Sequence, residues 1–348
     1  MSLTVDIHKK LGPFSLDVAF QTSGGVLGLL GASGSGKSMT LKCVAGIEHP
    51  DRGRIVLDGV TLFDSEQGVD LPPQKRRVGY LFQSYALFPN MTVRQNILCG
   101  LHWQKDRRAR ERAVGEMVAL LQLEGLEQRR PHQLSGGQQQ RAALARILAN
   151  DPGVLMLDEP FSALDRRLRE ELQVQMQGFL RRFGRDVLLV THDQDEASRL
   201  CSRVAAMDRG RILALGDTDA LFDDPGSRQA AFLTGCQNVA PAAVRTGEYE
   251  VAVPAWGLRL ATARPVGEGL DTVGIHAQAL SPACPSNRFP VHITGAMREQ
   301  AGARLCFRFP GQAPDAPDLW WTRPGPRDAA APQSLGVDPK DVLLLYHV

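Results

Sequence analysis

Gly31-Ala-Ser-Gly-Ser-Gly-Lys-Ser38 follows the apolar run VLGLL (26–30) and precedes the helical pattern SMTLKCVAGI. Strand, glycine loop and helix in that order are the setting in which G-x-x-x-x-G-K-[ST] cradles phosphate. Backbone N–H groups of Gly31, Ala32, Ser33, Gly34, Ser35 and Gly36 curl around the phosphates, and the helix N-terminus adds partial positive charge. Lys37 reaches the β/γ oxygens, and the Ser38 hydroxyl ligates Mg²⁺. VLMLDE (154–159) and DVLLVTH (186–192) are two more short apolar runs, as expected of buried parallel strands. They predict an α/β sheet with ligands at the carboxyl ends of its strands. Asp158 at one such end suits a Mg²⁺ site, Glu159 a general base toward water, and His192 a hydrogen bond to the γ-phosphate and to the glutamate.

A second glycine-bearing stretch, LSGGQQQR (Leu134–Arg141), opens another helix, QQQRAALARILAN. Ser135 is a plausible N-cap, and Gly136 and Gly137 let a phosphate approach the first-turn N–H groups beside Gln138. The Lys37 loop already fills that role, so the economical arrangement is head-to-tail. Each nucleotide then lies between the Lys37 loop of one copy and the Ser135 loop of another.

The remainder bounds the class. The chain has 348 residues, enough for two domains, and 40 basic against 38 acidic side chains give a net charge of +2. That balance argues against nucleic acid as partner. KDRRARER (105–112) mixes signs without stacking aromatics and reads as a solvated helix face. The start MSLTVDIHKK has no signal-peptide pattern, no apolar run reaches a membrane span, and six scattered cysteines suggest reduced thiols in the cytosol. Of 22 prolines, 13 follow Ala240, which disfavours long helices there. Short alternating runs such as YEVAVPAW, TVGIHAQAL, FPVHIT, ARLCFRF and DVLLLYHV predict a β-rich domain. The expected division is 1–235 for the α/β domain, with a helical insertion at about 84–150, and 236–348 for the β domain.

In order, GASGSGKS, Gln83, LSGGQ, VLMLDE, SALD and TH resemble the nucleotide-binding subunit of ATP-binding-cassette (ABC) transporters over residues 1–235. The resemblance implies ATP as substrate with Mg²⁺, the metal held by Ser38, Asp158 and Gln83. Gln83 also joins Glu159, His192 and Lys37 in the catalytic set, and Asp165 contacts a second copy across a homodimer. It further implies a membrane permease docked in a groove near Tyr85, Leu87, Phe88 and Pro89, at the cytoplasmic face of the inner membrane. An extracytoplasmic solute-binding protein would act indirectly. The family stacks adenine on an aromatic upstream of the loop; Phe14 offers itself, and another alignment puts Leu11 there. One cassette plus a β-rich tail resembles importers whose ATPase carries an OB-like (TOBE-type) regulatory domain. LPPQKRRVGYLFQSYALFPNMTVRQNI, HKKLGPFSLDVAF and VGIHAQALSP look closest to molybdate and sulfate systems, molybdate being favoured. Sugar, iron and polyamine importers share the plan. A soluble repair- or translation-type ABC ATPase would have a long coiled coil or two cassettes. A small-molecule kinase would need neither LSGGQ nor SALD.

Overall fold

The computed structural model describes residues 2–347 except 23, 163, 300–301 and 325–330. Five strands form the parallel half of a sheet: β3 (Val26–Leu30), β7 (Val78–Leu81), β8 (Val154–Asp158), β9 (Asp186–Thr191) and β10 (Arg203–Asp208), ordered β10-β3-β9-β8-β7. Every residue of β3, β8 and β9 is buried, which explains why they read as unbroken apolar runs. The sheet continues through β11 (Arg211–Asp217) into an antiparallel half: β1 (Leu3–Leu11), β2 (Phe14–Gln21), β4 (Arg52–Leu57), β5 (Val60–Asp64) and β6 (Val69–Asp70). This half was not anticipated from sequence. Its strands alternate buried and exposed residues and are joined by tight turns such as Gly12-Pro13. One core made from both halves includes Leu3, Leu16, Leu29, Leu41, Met156 and Val190.

Helix α1 (Lys37–Ala45) starts after Gly36, whose φ of 104° only glycine adopts readily, and stops at Gly46. Buried Arg76 donates to the carbonyls of Cys43 and Val44 at its C-terminal end and pairs with Asp70, placing a cation against the negative end of the helix dipole. Between β7 and β8 stands the helical insertion: α2 (Val93–Gly100), α3 (Arg107–Leu120) and α4 (Gly136–Leu148). Helix α5 (Arg166–Phe183) leads into β9 and α6 (Gln194–Leu200) into β10. No helix among the described residues is long and apolar enough to cross a membrane.

The chain divides into compact units Met1–Thr218 and Asp219–Val348. The division falls ahead of the composition shift because α8 (Arg228–Leu233), which follows α7 (Thr218–Asp223), belongs with the second unit. There Arg228 makes a bidentate pair with Asp271, and Ala231 shares a small core with Cys236, Leu343 and Leu345. Among its described residues the second unit holds four small sheets around one core built on Trp256, Phe307, Phe309 and Trp321, consistent with an OB-like domain. Each of the alternating runs named above contributes residues to one of its strands. The strand LWWTRP (Leu319–Pro324) escaped notice, since the paired tryptophans and the prolines on either side mask its alternation.

Candidate functional site

The Lys37 loop joins β3 to α1. Gly31 is required where β3 runs beside β10, because a Cβ there would stand 2.3 Å from the Met207 carbonyl oxygen. Around Gly34 there is open space, since a Cβ built on it meets nothing within 4 Å. No side chain caps the first-turn N–H groups of α1. A helix N-terminus left open behind a glycine loop is a site for anionic oxygens, so the loop fits a nucleotide phosphate. Lys37 Nζ donates to the carbonyls of Gly31 and Ala32, each at 2.8 Å. Burial pulls its ammonium below the usual lysine range, while the charges of Glu159 and Asp158 push back.

Ser38 Oγ donates to Asp158 Oδ1 at 2.7 Å, and Tyr80 on β7 donates its hydroxyl to Asp158 Oδ2 at 2.8 Å. The Tyr80 phenol is held neutral, raised first by burial and then by the Asp158 charge, so it stays a donor. Ser38 and Asp158 thus put two oxygens side by side at the loop, a donor set that suits Mg²⁺. Gln83 does not join that pair: its amide donates to Ser162 Oγ at 3.1 Å, and Ser162 donates to the Glu159 carbonyl at 3.0 Å. Gln83 is therefore tied to the backbone of the general-base candidate and not to the metal pair.

Glu159 leaves β8 with φ 44°, a left-handed conformation costly for a side chain with a Cβ. That twist turns its carboxylate across to β9, where His192 Nδ1 donates to Oε1 at 3.3 Å. Behind them Thr191 Oγ1 donates to buried Glu196 at 2.6 Å, and burial raises the Glu196 carboxyl. Asp158, Glu159 and His192 lie at or just after the carboxyl ends of neighbouring strands, and Lys37 and Ser38 open the helix that follows the β3 loop. Tyr80 and Glu196 belong to this set and were not found from sequence, because a strand tyrosine and a helix glutamate carry no spacing signature; Ser162 opens the SALD motif, where only Asp165 was given a role.

Ser135 caps α4 as expected: its Oγ accepts from Gln138 N at 3.3 Å while the Gln138 side chain accepts from Ser135 N at 3.0 Å, a capping box. Gly136 and Gly137 also serve packing, since a Cβ on Gly137 would meet Leu172 Cδ1 at 2.9 Å and one on Gly136 would meet Leu164 Cδ2 at 3.0 Å. Asp165 caps α5 by accepting from Leu168 N at 3.1 Å. Phe14 packs on the core with its ring tip near Gly36 and Gly210.

The docking groove needs one correction. Tyr85 is buried, and its hydroxyl donates to the Pro160 carbonyl at 3.4 Å, so its ring turns inward. Leu87 is half-buried, and Phe88 and Pro89 are exposed. Tyr85 and Ala86 both take left-handed backbone, with φ 59° and 48°. Arg146 of α4 holds this loop, donating to the Ala86 carbonyl at 2.8 Å and standing 5.2 Å from the Phe88 ring centroid.

A family model described as ABC transporter matches residues 15–162. The sulfate/thiosulfate import ATP-binding protein CysA of Xanthomonas campestris is 41% identical over 304 residues, covering 86% of this chain and 84% of that protein. The molybdenum import ATP-binding protein ModC of Paramagnetospirillum magneticum is 43% identical over 228 residues, 65% of this chain and 62% of that one. The putrescine transport ATP-binding protein PotG of Escherichia coli is 45% identical, and the match spans 62% of this chain and 56% of that protein. Among solved structures, a dimeric post-hydrolysis state of an ATP-binding cassette bound to ADP and Pi superposes with TM-score 0.52 at 27% identity, covering 63% of this chain and 99% of that one. A dimeric bacterial ABC transporter cassette gives TM-score 0.53 at 28% identity over the same shares.

Proposed function

This chain belongs to the ABC transporter family, among the ATP-binding subunits of importers, and from that premise we propose that it hydrolyses ATP between two copies of itself to drive uptake of an oxyanion, molybdate first. The observation that carries hydrolysis is the Glu159 carboxylate, turned by a left-handed backbone toward His192 and adjoining the Ser38–Asp158 pair.

In this mechanism Lys37 and the α1 N-terminus hold the β- and γ-phosphates. Glu159 takes a proton from water as its oxygen bonds to the γ-phosphorus, and the β–γ bridging P–O bond breaks to release ADP and phosphate. His192 fixes the Glu159 carboxylate through its Nδ1–H, and its other nitrogen bonds the γ-phosphoryl oxygens only when it carries a proton as well. Ser38 and Asp158 would hold Mg²⁺, which neutralises charge on those oxygens. The Ser135 loop serves the nucleotide of the other copy. In its support, no hydrogen bond among the described residues joins Ser135–Gln138 to the Lys37 loop, and two dimeric cassettes share the fold. Arg146 ties α4, which Ser135 caps, to the loop 83–88. Movement at the nucleotide thereby reaches exposed Phe88 and Pro89, where a permease would dock at the cytoplasmic face of the membrane. Adenine is assigned to the region of Phe14, and Asp165 to the facing copy.

Sulfate is the second reading, favoured because the sulfate/thiosulfate relative aligns over 86% of this chain, into the β-rich unit. Uptake of labelled molybdate and sulfate, each alone, is measured in cells whose only copy carries Glu159→Gln, against wild type. Loss of molybdate uptake alone supports the first reading, and loss of sulfate uptake alone replaces it with the second. Unchanged uptake of both overturns oxyanion import. Purified Glu159→Gln binds ATP and elutes as a dimer, and wild-type hydrolysis by it would remove Glu159 as the base.

A further inference from the structure

Glu159 is held against its own backbone preference. Its φ of 44° is left-handed, whereas a residue ahead of a proline, here Pro160, favours extended backbone. Hydrogen bonds oppose that preference on both sides of the residue. Glu159 N donates to the Val190 carbonyl at 3.0 Å. The Glu159 carbonyl accepts from Ser162 N at 3.2 Å and from Ser162 Oγ at 3.0 Å. Ser162 thus grips the same carbonyl twice, once with its hydroxyl.

A serine hydroxyl carries one proton. The Glu159 carbonyl can only accept, so it takes that proton and leaves Ser162 Oγ as an acceptor. Gln83 meets it with an amide N–H at 3.1 Å. The direction along the line is therefore fixed: Gln83 donates to Ser162, and Ser162 donates to the peptide that aims the Glu159 carboxylate at His192. Gln83 opens the loop 83–88, which Arg146 holds at the Ala86 carbonyl. That loop meets the same turn a second time, where the Tyr85 hydroxyl donates to the Pro160 carbonyl. Gln83 and Ser84 are exposed, so this end of the loop shifts without unpacking a core, and a shift withdraws the donor from Ser162.

We propose, resting on the reading of Glu159 as the general base, that Ser162 is a positioning residue which keeps the Glu159 backbone in its left-handed turn, and that Gln83 acts on hydrolysis through Ser162. Ser162 itself touches no reacting atom.

Steady-state ATPase of the purified full chain gives kcat, KM for ATP and the Mg²⁺ concentration for half-maximal rate. A misplacement of about 1 Å costs on the order of 100-fold in rate. Ser162→Ala accordingly lowers kcat at least tenfold and leaves KM within twofold, because the phosphate loop is untouched. Ser162→Thr keeps the hydroxyl and retains at least half of the wild-type kcat. Gln83→Glu replaces the donor with an acceptor that competes for the hydroxyl proton. It lowers kcat at least tenfold with half-maximal Mg²⁺ within twofold, and adding Ser162→Ala to it lowers kcat no more than twofold further. Wild-type kcat in Gln83→Glu, or a shifted Mg²⁺ requirement, would put Gln83 on the metal and break the line to Ser162. Equal losses in Ser162→Ala and Ser162→Thr would make the hydroxyl irrelevant and overturn the positioning role. Glu159→Gln is assayed beside them. If it loses turnover while Ser162→Ala keeps the wild-type kcat, the base stands and the positioning role falls; wild-type turnover by Glu159→Gln removes both. If Ser162→Ala fails to fold, Gln83→Glu at its exposed position still decides.

Discussion

Tyr80→Phe isolates a single hydroxyl at the centre of the site. Tyr80 is 8% exposed and Asp158 7%, and the 2.8 Å bond between them runs from a neutral donor to a carboxylate. Phenylalanine keeps the ring in its place, 4.4 Å from Phe82 centroid to centroid, so packing is preserved and only the hydrogen bond goes. A hydrogen bond to a charged group contributes about 1.5–3 kcal/mol. Asp158 retains the Ser38 donor, and little water reaches the vacated side at that burial. For a unit of this size each kcal/mol moves Tm by about 2–4 °C, giving a fall of roughly 3–12 °C. Asp158 also loses one of the two groups that fix its orientation. Removing such a support from a metal-binding carboxylate costs about 10–100-fold in metal affinity or activity. Scanning calorimetry reads the first effect, and the Mg²⁺ concentration giving half-maximal ATPase reads the second, expected to rise at least tenfold. Tyr85→Phe is the control: its hydroxyl bond to Pro160 is 3.4 Å long, and losing it costs about 0.5 kcal/mol or less. If Tyr80→Phe matched the control in both assays, Tyr80 would be a packing residue and its bond to Asp158 idle.

Cysteine chemistry separates burial from reactivity. Burial pushes the thiol of Cys43 up to about 11 and that of Cys236 up to about 12, and Cys201 is raised for the same reason. Iodoacetamide at pH 8 followed by mass spectrometry therefore labels half-buried Cys99 and Cys284 in the folded protein and spares Cys43, Cys201 and Cys236 until denaturant is added. Glu196 supplies a pH signature. Its folded carboxyl titrates above 4.5, chiefly through burial, so between the unfolded and folded values the folded state holds the extra proton. Stability then falls as pH rises through that window and stays lowered above it. Glu196→Gln keeps an acceptor for Thr191 and removes the slope, so Tm of the variant relative to wild type rises from pH 4.5 upward. A constant difference across that range would refute the linkage.

The glycines, Lys37, Ser38 and the three apolar strands were legible because each rests on local chemistry: backbone freedom, helix-terminus charge and burial on both faces of a sheet. Ser135 was legible as a cap for the same reason. The antiparallel half of the sheet was not, because its pairing joins segments as distant as Asp6 and Arg54, and no periodicity within either one names the other. Nor did the residue type reveal that Tyr85 turns inward, since a tyrosine beside Phe88 and Pro89 serves a core or a surface equally well. Three-dimensional proximity decided that Gln83 reaches Ser162 and that Tyr80 holds Asp158 across two strands. The composition of the tail announced a β-rich domain, while the placement of α8 with it depended on Arg228 meeting Asp271 across 43 residues of sequence. Sequence determined which groups can do the chemistry, because that is a property of residue types at short spacing. Tertiary structure decided which of them meet, because hydrogen bonds and burial act through space without regard to separation along the chain.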